Sequence, residues 1–405
     1  MLFNILDLGG EKMKKNIIII GSRGYNFSYG GWETFVSNLV DNENKEEYKF
    51  YIPTLTYQKE LDGKYQKDDY LETPYIYTKE KGFATMFTFT INSMRYYLNY
   101  IKENHLANCV MLILGCKIGP LMPLWFKKLH KLGVKIILNP DGLEWSRDKW
   151  SWWIKQCFKI SERYSIKYSD AIISDSRAIQ KYMDEKYKCY NKPSYFIAYG
   201  AYLEAKGKKN KIIKELFQKY QIKEKNYYLI VGRFIPENNY ETIIKEFMKS
   251  KTTKDLIIIC NVEQNKFYEK LEENTHFQKD KRIKFVGSLY DHEGLIYIRE
   301  NAYAYLHGHS AGGTNPSLLE ALSKTKVNIL YDVAYNREVG ELSCLYFTKD
   351  KGDLCKIIDE VDNLTLQEIE NYGKMAKERI KQEYTWNIVV NKYNKIFEDL
   401  NKRKN

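Results

Sequence analysis

The sequence predicts an α/β fold of two parallel-sheet halves facing each other across a cleft. Three observations carry this. Short apolar runs rich in β-branched residues alternate with amphipathic stretches. The alternation stops at a basic, Gly-containing gap near residue 205 and then restarts. Turns rich in Gly and charged residues follow several of the runs, where ligands of parallel sheets sit.

The elements follow in order. Asn16–Ile20 is a continuous β-branched run, as a strand covered on both faces requires. Comparable strands are expected at Tyr48–Ile52, Cys109–Leu114, Val134–Leu138, Ala171–Ser174 and Tyr195–Ala198. Helices with one apolar face are expected between them at Trp32–Val40, Phe87–Lys102, Pro120–Leu132, Trp152–Tyr168 and Arg177–Tyr187. Ala205–Lys214 (AKGKKNKIIK) reads as a linker. Strands then recur at Tyr227–Val231, Leu256–Cys260, Ile283–Val286, Ala302–Leu306, Val327–Leu330 and Cys344–Phe347. Helices fall near Asn239–Lys249, Lys266–Glu273, Glu293–Glu300, Pro316–Ser323 and Asp353–Glu360. Two long helices, Thr365–Glu383 and Trp386–Asn401, close the chain. The expected division is 14–204, 205–385 and a final helical segment 386–405.

A length of 405 residues holds two or three domains of about 100–200 residues. With 44% hydrophobic and 29% charged residues, collagen-like and wholly disordered classes are excluded. Lys+Arg 64 against Asp+Glu 52 leaves +12, which favours an anionic partner. The seven cysteines are an odd number with no C-x-x-C, so zinc and thioredoxin-like readings are weak and a reducing compartment suits them. No run reaches 18 apolar residues; Asn92, Arg95 and Asn99 interrupt the nearest candidate, Phe83–Ile101. The start lacks a basic n-region and a cleavage site. Residues 8–12 back-translate to a purine-rich ribosome site, so translation is expected to begin at Met13; a native peptide from upstream of Met13 would refute this.

Four turns carry candidate chemistry. The first is Gly21-Ser22-Arg23-Gly24 followed by Tyr29-Gly30-Gly31-Trp32-Glu33-Thr34. A strand feeding a Gly-rich turn that opens a helix suits a phosphate or sugar; its plainer reading is a tight turn. The turn is neither G-x-G-x-x-G nor a Walker A loop, and no acidic residue follows the second strand, so NAD is not expected. The second is Asn139-Pro140-Asp141-Gly142-Leu143-Glu144, with Asp141 and Glu144 at a cleft mouth or, alternatively, an Asx turn. The third is Val231-Gly232-Arg233, a strand-end guanidinium suited to a diphosphate or else paired with Glu237. The fourth runs His307-Gly308-His309-Ser310-Ala311-Gly312-Gly313-Thr314-Asn315-Pro316, with Asn315 as N-cap and Pro316 at the first helical position. That layout is a ready anion site. Glu320 falls just inside the helix and needs a partner: ribose hydroxyls, or a structural ion pair. His307 and His309 lack a third ligand at metal spacing, and no D-x-D occurs, so no metal is expected.

Together these residues resemble glycosyltransferase family 4, with the GT-B fold of two Rossmann-like domains. GSRG, YGGWETF, NPDGLEWSRDKWS, VGRFIPENNYETI and GHSAGGTNPSLLEA narrow the resemblance to a bacterial rhamnosyltransferase branch of surface and capsular polysaccharide synthesis. It covers roughly 14–400. It implies a retaining, metal-independent transfer from a nucleoside-diphosphate sugar, with acceptor binding in the first domain, nucleotide-sugar binding in the second, and the last helix crossing back to the first. Glu320 would hold the nucleotide ribose. Arg233 with Gly30, Gly31, Gly312, Gly313, Thr314 and Asn315 would hold the diphosphate. Arg23, Glu33, Asp141, Glu144 and His309 would face the sugar and acceptor, and Arg233, Asp141 and Glu320 would be the catalytic set. Replacing Glu320 with Ala should abolish transfer and leave folding near normal.

Two departures from the broad family stand out. Gly312 replaces the earlier of two glutamates, and Asn238 replaces a Lys after the G-R. Both agree with a 6-deoxy sugar, here L-rhamnose from dTDP-β-L-rhamnose, giving a β-linkage. The alternatives are a retaining transferase using a UDP-hexose or UDP-N-acetylhexosamine, and an inactive sugar-nucleotide- or polysaccharide-binding subunit. From His105 to Ser169 there are 11 Lys/Arg and 4 Asp/Glu, together with Trp125, Trp145, Trp150, Trp152 and Trp153. Such a segment suits an anionic membrane carrying a lipid-linked saccharide acceptor. The expected location is cytoplasmic, peripheral on the inner face of the plasma membrane. No RRM, KH or zinc signature supports a nucleic-acid partner.

Overall fold

The computed structural model describes residues 14–26, 30–79, 82, 84–146 and 150–402. The expected start at Met13, and Tyr29 and Arg147 of the motifs above, lie outside these residues.

The first sheet comprises β1 (Lys15–Ile20), β2 (Tyr48–Tyr51), β3 (Thr54–Thr56), β4 (Tyr65–Lys67), β5 (Leu71–Tyr77), β6 (Cys109–Leu114), β7 (Lys135–Asn139), β8 (Ala171–Ser174) and β9 (Ser194–Phe196). Their order is β3-β5-β2-β1-β6-β7-β8-β9, parallel throughout, with β4 antiparallel to β5. The helices are α1 (Gly31–Asp41), α2 (Thr85–Glu103), α3 (Met122–Lys131), α4 (Trp152–Lys167) and α5 (Arg177–Lys186).

The second sheet comprises β10 (Tyr227–Val231), β11 (Asp255–Ile259), β12 (Ile283–Gly287), β13 (Ala304–His307), β14 (Val327–Tyr331) and β15 (Leu345–Phe347), in the order β12-β11-β10-β13-β14-β15 and all parallel. Its helices are α6 (Lys211–Lys219), α7 (Tyr240–Lys249), α8 (Lys266–Thr275), α9 (His292–Glu300), α10 (Pro316–Lys324), α11 (Ala334–Gly340) and α12 (Asp353–Asp362). Two more, α13 (Leu366–Glu383) and α14 (Trp386–Lys402), follow.

The uninterrupted apolar runs form the central strands, whose residues are buried on both faces. Three findings differ from the sequence reading. β3, β4 and β5 were not foreseen, since β4 is fully exposed and β5 carries Pro74. α11 is short and was also missed. The linker 205–214 is shorter than expected, because Asn210 caps α6: its side chain accepts the Ile213 N–H, and Lys211–Lys214 are already helical.

Chain order in each sheet fixes where a ligand can sit. The first sheet reverses direction between β1 and β6, the second between β10 and β13. A crevice opens at the carboxyl ends of strands at such a switch point. The four turns leaving these strands begin at Gly21, Gly115, Gly232 and Gly308.

Helix α14 returns to the first sheet. Trp386 is 4% exposed and lies with its ring centroid 6.3 Å from those of Phe35 on α1 and Tyr202. Gly200 passes so close to the Trp386 ring that a Cβ there would collide with it. The Ala201 N–H donates to the Tyr384 carbonyl at 2.7 Å, and Lys15 pairs with Glu398 at 3.1 Å. Replacing Trp386 with Ala should cost about 3–5 kcal/mol in urea unfolding, as for other buried Trp truncations. A loss below about 1 kcal/mol would show that this ring does not anchor the helix.

Candidate functional site

A cleft of about 660 Å³ opens between the two sheets at these switch points. On the first-sheet side, β1 ends at Gly21 (φ 117), where a Cβ would strike the Leu114 backbone. Arg23 follows, and its N–H donates to Glu33 Oε1 at 2.9 Å. Glu33 is buried on the first turn of α1, and its other oxygen occupies the space that a side chain on Gly30 (φ 146) would need. The GG-x-E pattern therefore has a local cause: the glycine makes room for the glutamate, and the glutamate braces the preceding turn. Gly30, Gly31, Arg23 and Glu33 all line the cleft.

From β7, Asn139 Oδ1 accepts the Asp141 N–H at 3.0 Å, which is the Asx turn the sequence left open. Asp141 takes φ 64 and lines the cleft. Glu144 does not line it. Its carboxylate accepts the Trp150 indole N–H at 2.8 Å.

The second-sheet side is more polar. The Arg233 carbonyl accepts Asn238 Nδ2 at 2.6 Å and the Tyr240 hydroxyl at 3.0 Å, so the turn after β10 is held from two sides. Its guanidinium is exposed on the cleft wall and forms no ion pair with Glu237 among the described residues. The Glu237 carbonyl instead accepts the Ser310 N–H at 2.8 Å. Asn238, where a Lys was expected by resemblance, bridges two loops: its Oδ1 meets His309 Nδ1 at 2.8 Å. Gly312 takes φ 98. Asn315 caps α10 by accepting the Ser317 N–H at 2.9 Å, with Pro316 at the first position, as the sequence predicts.

Glu320 pairs with Arg299 of α9 at 2.6 Å. Arg299 is 3% exposed and Glu320 about a third. Arg299 also donates to Ser317 Oγ at 3.2 Å, and Ser317 donates to the Val231 carbonyl at 3.0 Å. The ion pair thus exists beside a cleft-facing carboxylate edge. It also corrects one expectation. Removing Glu320 strips a buried guanidinium of its counter-charge, so near-normal folding does not follow.

Four cleft residues were not singled out from sequence. Lys117 follows β6 and donates to the Gly21 carbonyl at 2.9 Å; burial lowers its pKa, opposed by the nearby Asp141 and Glu33 carboxylates. Asp175 follows β8, is 2% exposed, and its Oδ1 has no hydrogen-bond partner. Burial, with Asp141 nearby, pushes its carboxyl well above the usual aspartate range. It sits against Gly313 so closely that a Cβ there would collide with it, and its carbonyl accepts the Thr314 hydroxyl. His307, noted only for metal spacing, is buried with Nε2 unbonded; burial and His309 lower its pKa to about 3, leaving the ring neutral. Lys117 and Asp175 had a signal, since both follow strands. Arg299 had none: on a helix of ordinary amphipathic pattern it reads as a solvated cation.

Comparison with known proteins fits this geometry. A sucrose-phosphate synthase from Thermosynechococcus elongatus superposes with a TM-score of 0.76 at 14% identity, over 96% of this chain and 99% of that one. HepE of Anabaena, in complex with UDP and glucose, superposes with a TM-score of 0.71 at 11% identity, over 96% and 100%. The chain has the GT-B glycosyltransferase fold. An uncharacterized glycosyltransferase of Methanocaldococcus jannaschii, MJ1069, is 26% identical over 96% of this chain and all of its own length. Residues 14–202, the first-sheet half of this GT-B chain, match the family described as Domain of unknown function (DUF1972).

The buried Asp175 gives the GT-B cleft a measurable signature. An unfolded aspartate loses its proton near pH 4, whereas the folded one holds it to higher pH. Stability therefore falls as pH rises through that window and levels off above the folded value. Asp175→Asn removes the titration, so its melting temperature relative to the parent should climb as pH rises above the unfolded aspartate range. A difference that does not vary with pH would refute the protonated assignment.

Proposed function

We propose that this chain is a retaining, metal-independent glycosyltransferase that moves L-rhamnose from dTDP-β-L-rhamnose onto a lipid-linked saccharide in bacterial surface-polysaccharide synthesis. The observation that carries the transferase reading is the set facing the cleft: Arg233, unpaired among the described residues, the Gly312–Asn315 turn ahead of α10, and Glu320 held by Arg299. A nucleoside diphosphate fits that set. Glu320 keeps an exposed carboxylate edge for ribose hydroxyls, while the guanidinium and the backbone amides of the Gly312–Asn315 turn ahead of α10 meet the two phosphates. The relative named as a glycosyltransferase and the neighbour holding UDP and glucose support the same class. The 6-deoxy sugar rests on the motif resemblance, with Gly312 and Asn238 at the positions of a Glu and a Lys.

In the reaction, the acceptor hydroxyl attacks the anomeric carbon from the face that the diphosphate leaves. The anomeric carbon–oxygen bond to phosphate breaks as the new glycosidic bond forms. The hydroxyl proton passes to the departing phosphate oxygen, and retention from a β-donor gives a β-linkage. Arg233 and the amides of Gly312–Asn315 stabilise the charge gathering on the diphosphate. Asp141 orients a hydroxyl from the opposite wall. Neutral His307 offers a hydrogen bond without adding charge. Closing the two sheets over the donor excludes water and limits hydrolysis.

The test is transfer by the purified chain from dTDP-β-L-rhamnose to pyrophosphate-lipid saccharides, read by mass spectrometry. The expected product gains one deoxyhexose. Arg233→Ala should lower kcat by about 10²–10³. Glu320→Ala should weaken donor binding and also lower stability by about 1–3 kcal/mol, between the exposed and buried ion-pair limits. Product from a UDP-sugar alone would keep the transferase and discard the rhamnosyl donor. Undiminished turnover in both variants would overturn the site.

A further inference from the structure

We infer that the outer face of α3 and α4 is a docking surface for an anionic phospholipid bilayer. Helix α4 inverts the usual pattern of a surface helix. Its exposed positions include Trp153, Cys157, Ile160 and Tyr164, which recur at the spacing of one helical face. Trp153 is 74% exposed, Trp152 61% and Ile160 51%. No described residue buries them, although Trp152 and Trp153 meet edge to face with ring centroids 4.5 Å apart. On α3, Leu124 is 63% exposed and shares its outward face with Lys127, Lys128 and Lys131. Five of the twelve large apolar side chains exposed among the described residues lie on these two helices. Contiguous exposed apolar surface of this kind marks an interaction site.

The charge decides the partner. Besides the three α3 lysines, α4 carries Lys155, Lys159, Arg163 and Lys167. Its one acidic residue, Glu162, is 4% exposed and turned inward, where it accepts from Trp145, Tyr187 and Lys186. The two helices therefore show only positive charge outward. A face combining exposed Trp, Ile and Leu with cations and no exposed carboxylate matches the headgroup level of an anionic bilayer. A protein partner of mixed charge would not select it.

Position adds a consequence. α3 and α4 touch and pack on one face of the first sheet. They follow β6 and β7, so their first turns, holding Leu124, Trp152 and Trp153, lie at the edge where those strands open onto the cleft. Docking through these residues brings the cleft mouth to the membrane surface. A lipid-linked acceptor would then reach Asp141 without leaving the bilayer. Docking itself does not rest on the transferase reading.

The experiment is sedimentation of the purified full-length chain with vesicles of phosphatidylcholine, with and without phosphatidylglycerol. Binding should require phosphatidylglycerol and weaken in high salt. Trp152→Ser with Trp153→Ser should lower partitioning about tenfold or more. Lys127→Glu with Lys128→Glu should do so by about tenfold. All four positions are exposed, and an unchanged melting temperature confirms that the variants fold. Equal binding to both vesicle types, or parent-like binding by the Trp variant, would overturn the proposal. So would an absence of vesicle binding accompanied by RNA retention, or by a dimer that Trp153→Ser dissolves. No sugar donor or acceptor enters the measurement, so its failure leaves the transferase reading standing.

Discussion

The constraint on which the site depends is a contact between two turns at residues that carry no side chains. Gly142 of the first half packs on Gly312 of the second, so that a Cβ at 142 would lie 2.7 Å from the Gly312 Cα. Beside it, Gly313 leaves room for the buried Asp175 carboxyl, and the Thr314 hydroxyl closes on the Asp175 carbonyl. The two halves thus meet here through glycines that let backbone or a buried carboxyl approach closely. This close approach explains why a carboxyl can be buried there uncharged. The walls exclude water from Asp175, and the neighbouring Asp141 makes a second negative charge costly.

The cations of the cleft divide by what already holds them. Lys117 is tied to the Gly21 carbonyl, and Arg299 to Glu320 and Ser317. Arg233 extends from a turn whose backbone is fixed through its own carbonyl, leaving the guanidinium to the cleft. A group already paired loses that partner when it takes up a ligand, and the gain is correspondingly small. A free guanidinium on a fixed turn has only its hydration to exchange, so it contributes more per contact. Asn238 fits this division. An amide there ties the β10 turn to His309 by hydrogen bonds that a lysine would not reproduce.

Legibility of the sequence tracked whether a residue's role is local. The β-branched runs at Asn16–Ile20 and Cys109–Leu114, and the Asn315-Pro316 helix start, announce themselves within a few residues, and the structure forms them. Gly30, Arg233 and Glu320 were legible because each sits at a strand end or helix start. Asp175 sat at a strand end too, but its significance comes from Gly313, 138 positions later, and no local pattern encodes that meeting. Arg299 is the extreme case: its burial is created wholly by the helix opposite. The exposed strand β4 and the Pro-bearing β5 failed for a different reason, since neither has the apolar periodicity that marks a covered strand.

The 35 tyrosines, uninformative as composition, acquire a role once placed. Tyr48, Tyr97, Tyr227, Tyr228, Tyr240 and Tyr305 are among the largest fully buried side chains. Each brings apolar area of phenylalanine size plus one hydroxyl, which is partnered in the second half and unpartnered at Tyr97. Tyr227 and Tyr228 donate to the helix carbonyls of Ile298 and Ile358, whereas Tyr240 and Tyr305 find carbonyls at the end of β10 or just beyond it. Tyr240 donates to Arg233, Tyr305 donates to Val231 at 3.1 Å, and Tyr305 also meets Ser317 at 3.0 Å. The core therefore grips the turn that presents Arg233 and the helix that presents Glu320 through the same ring that fills the space beneath them. Phenylalanine at Tyr240 or Tyr305 would fill nearly the same volume and leave each carbonyl with one donor instead of two. Packing and site geometry are in this respect one interaction, made by hydroxyls at the rim of an aromatic core.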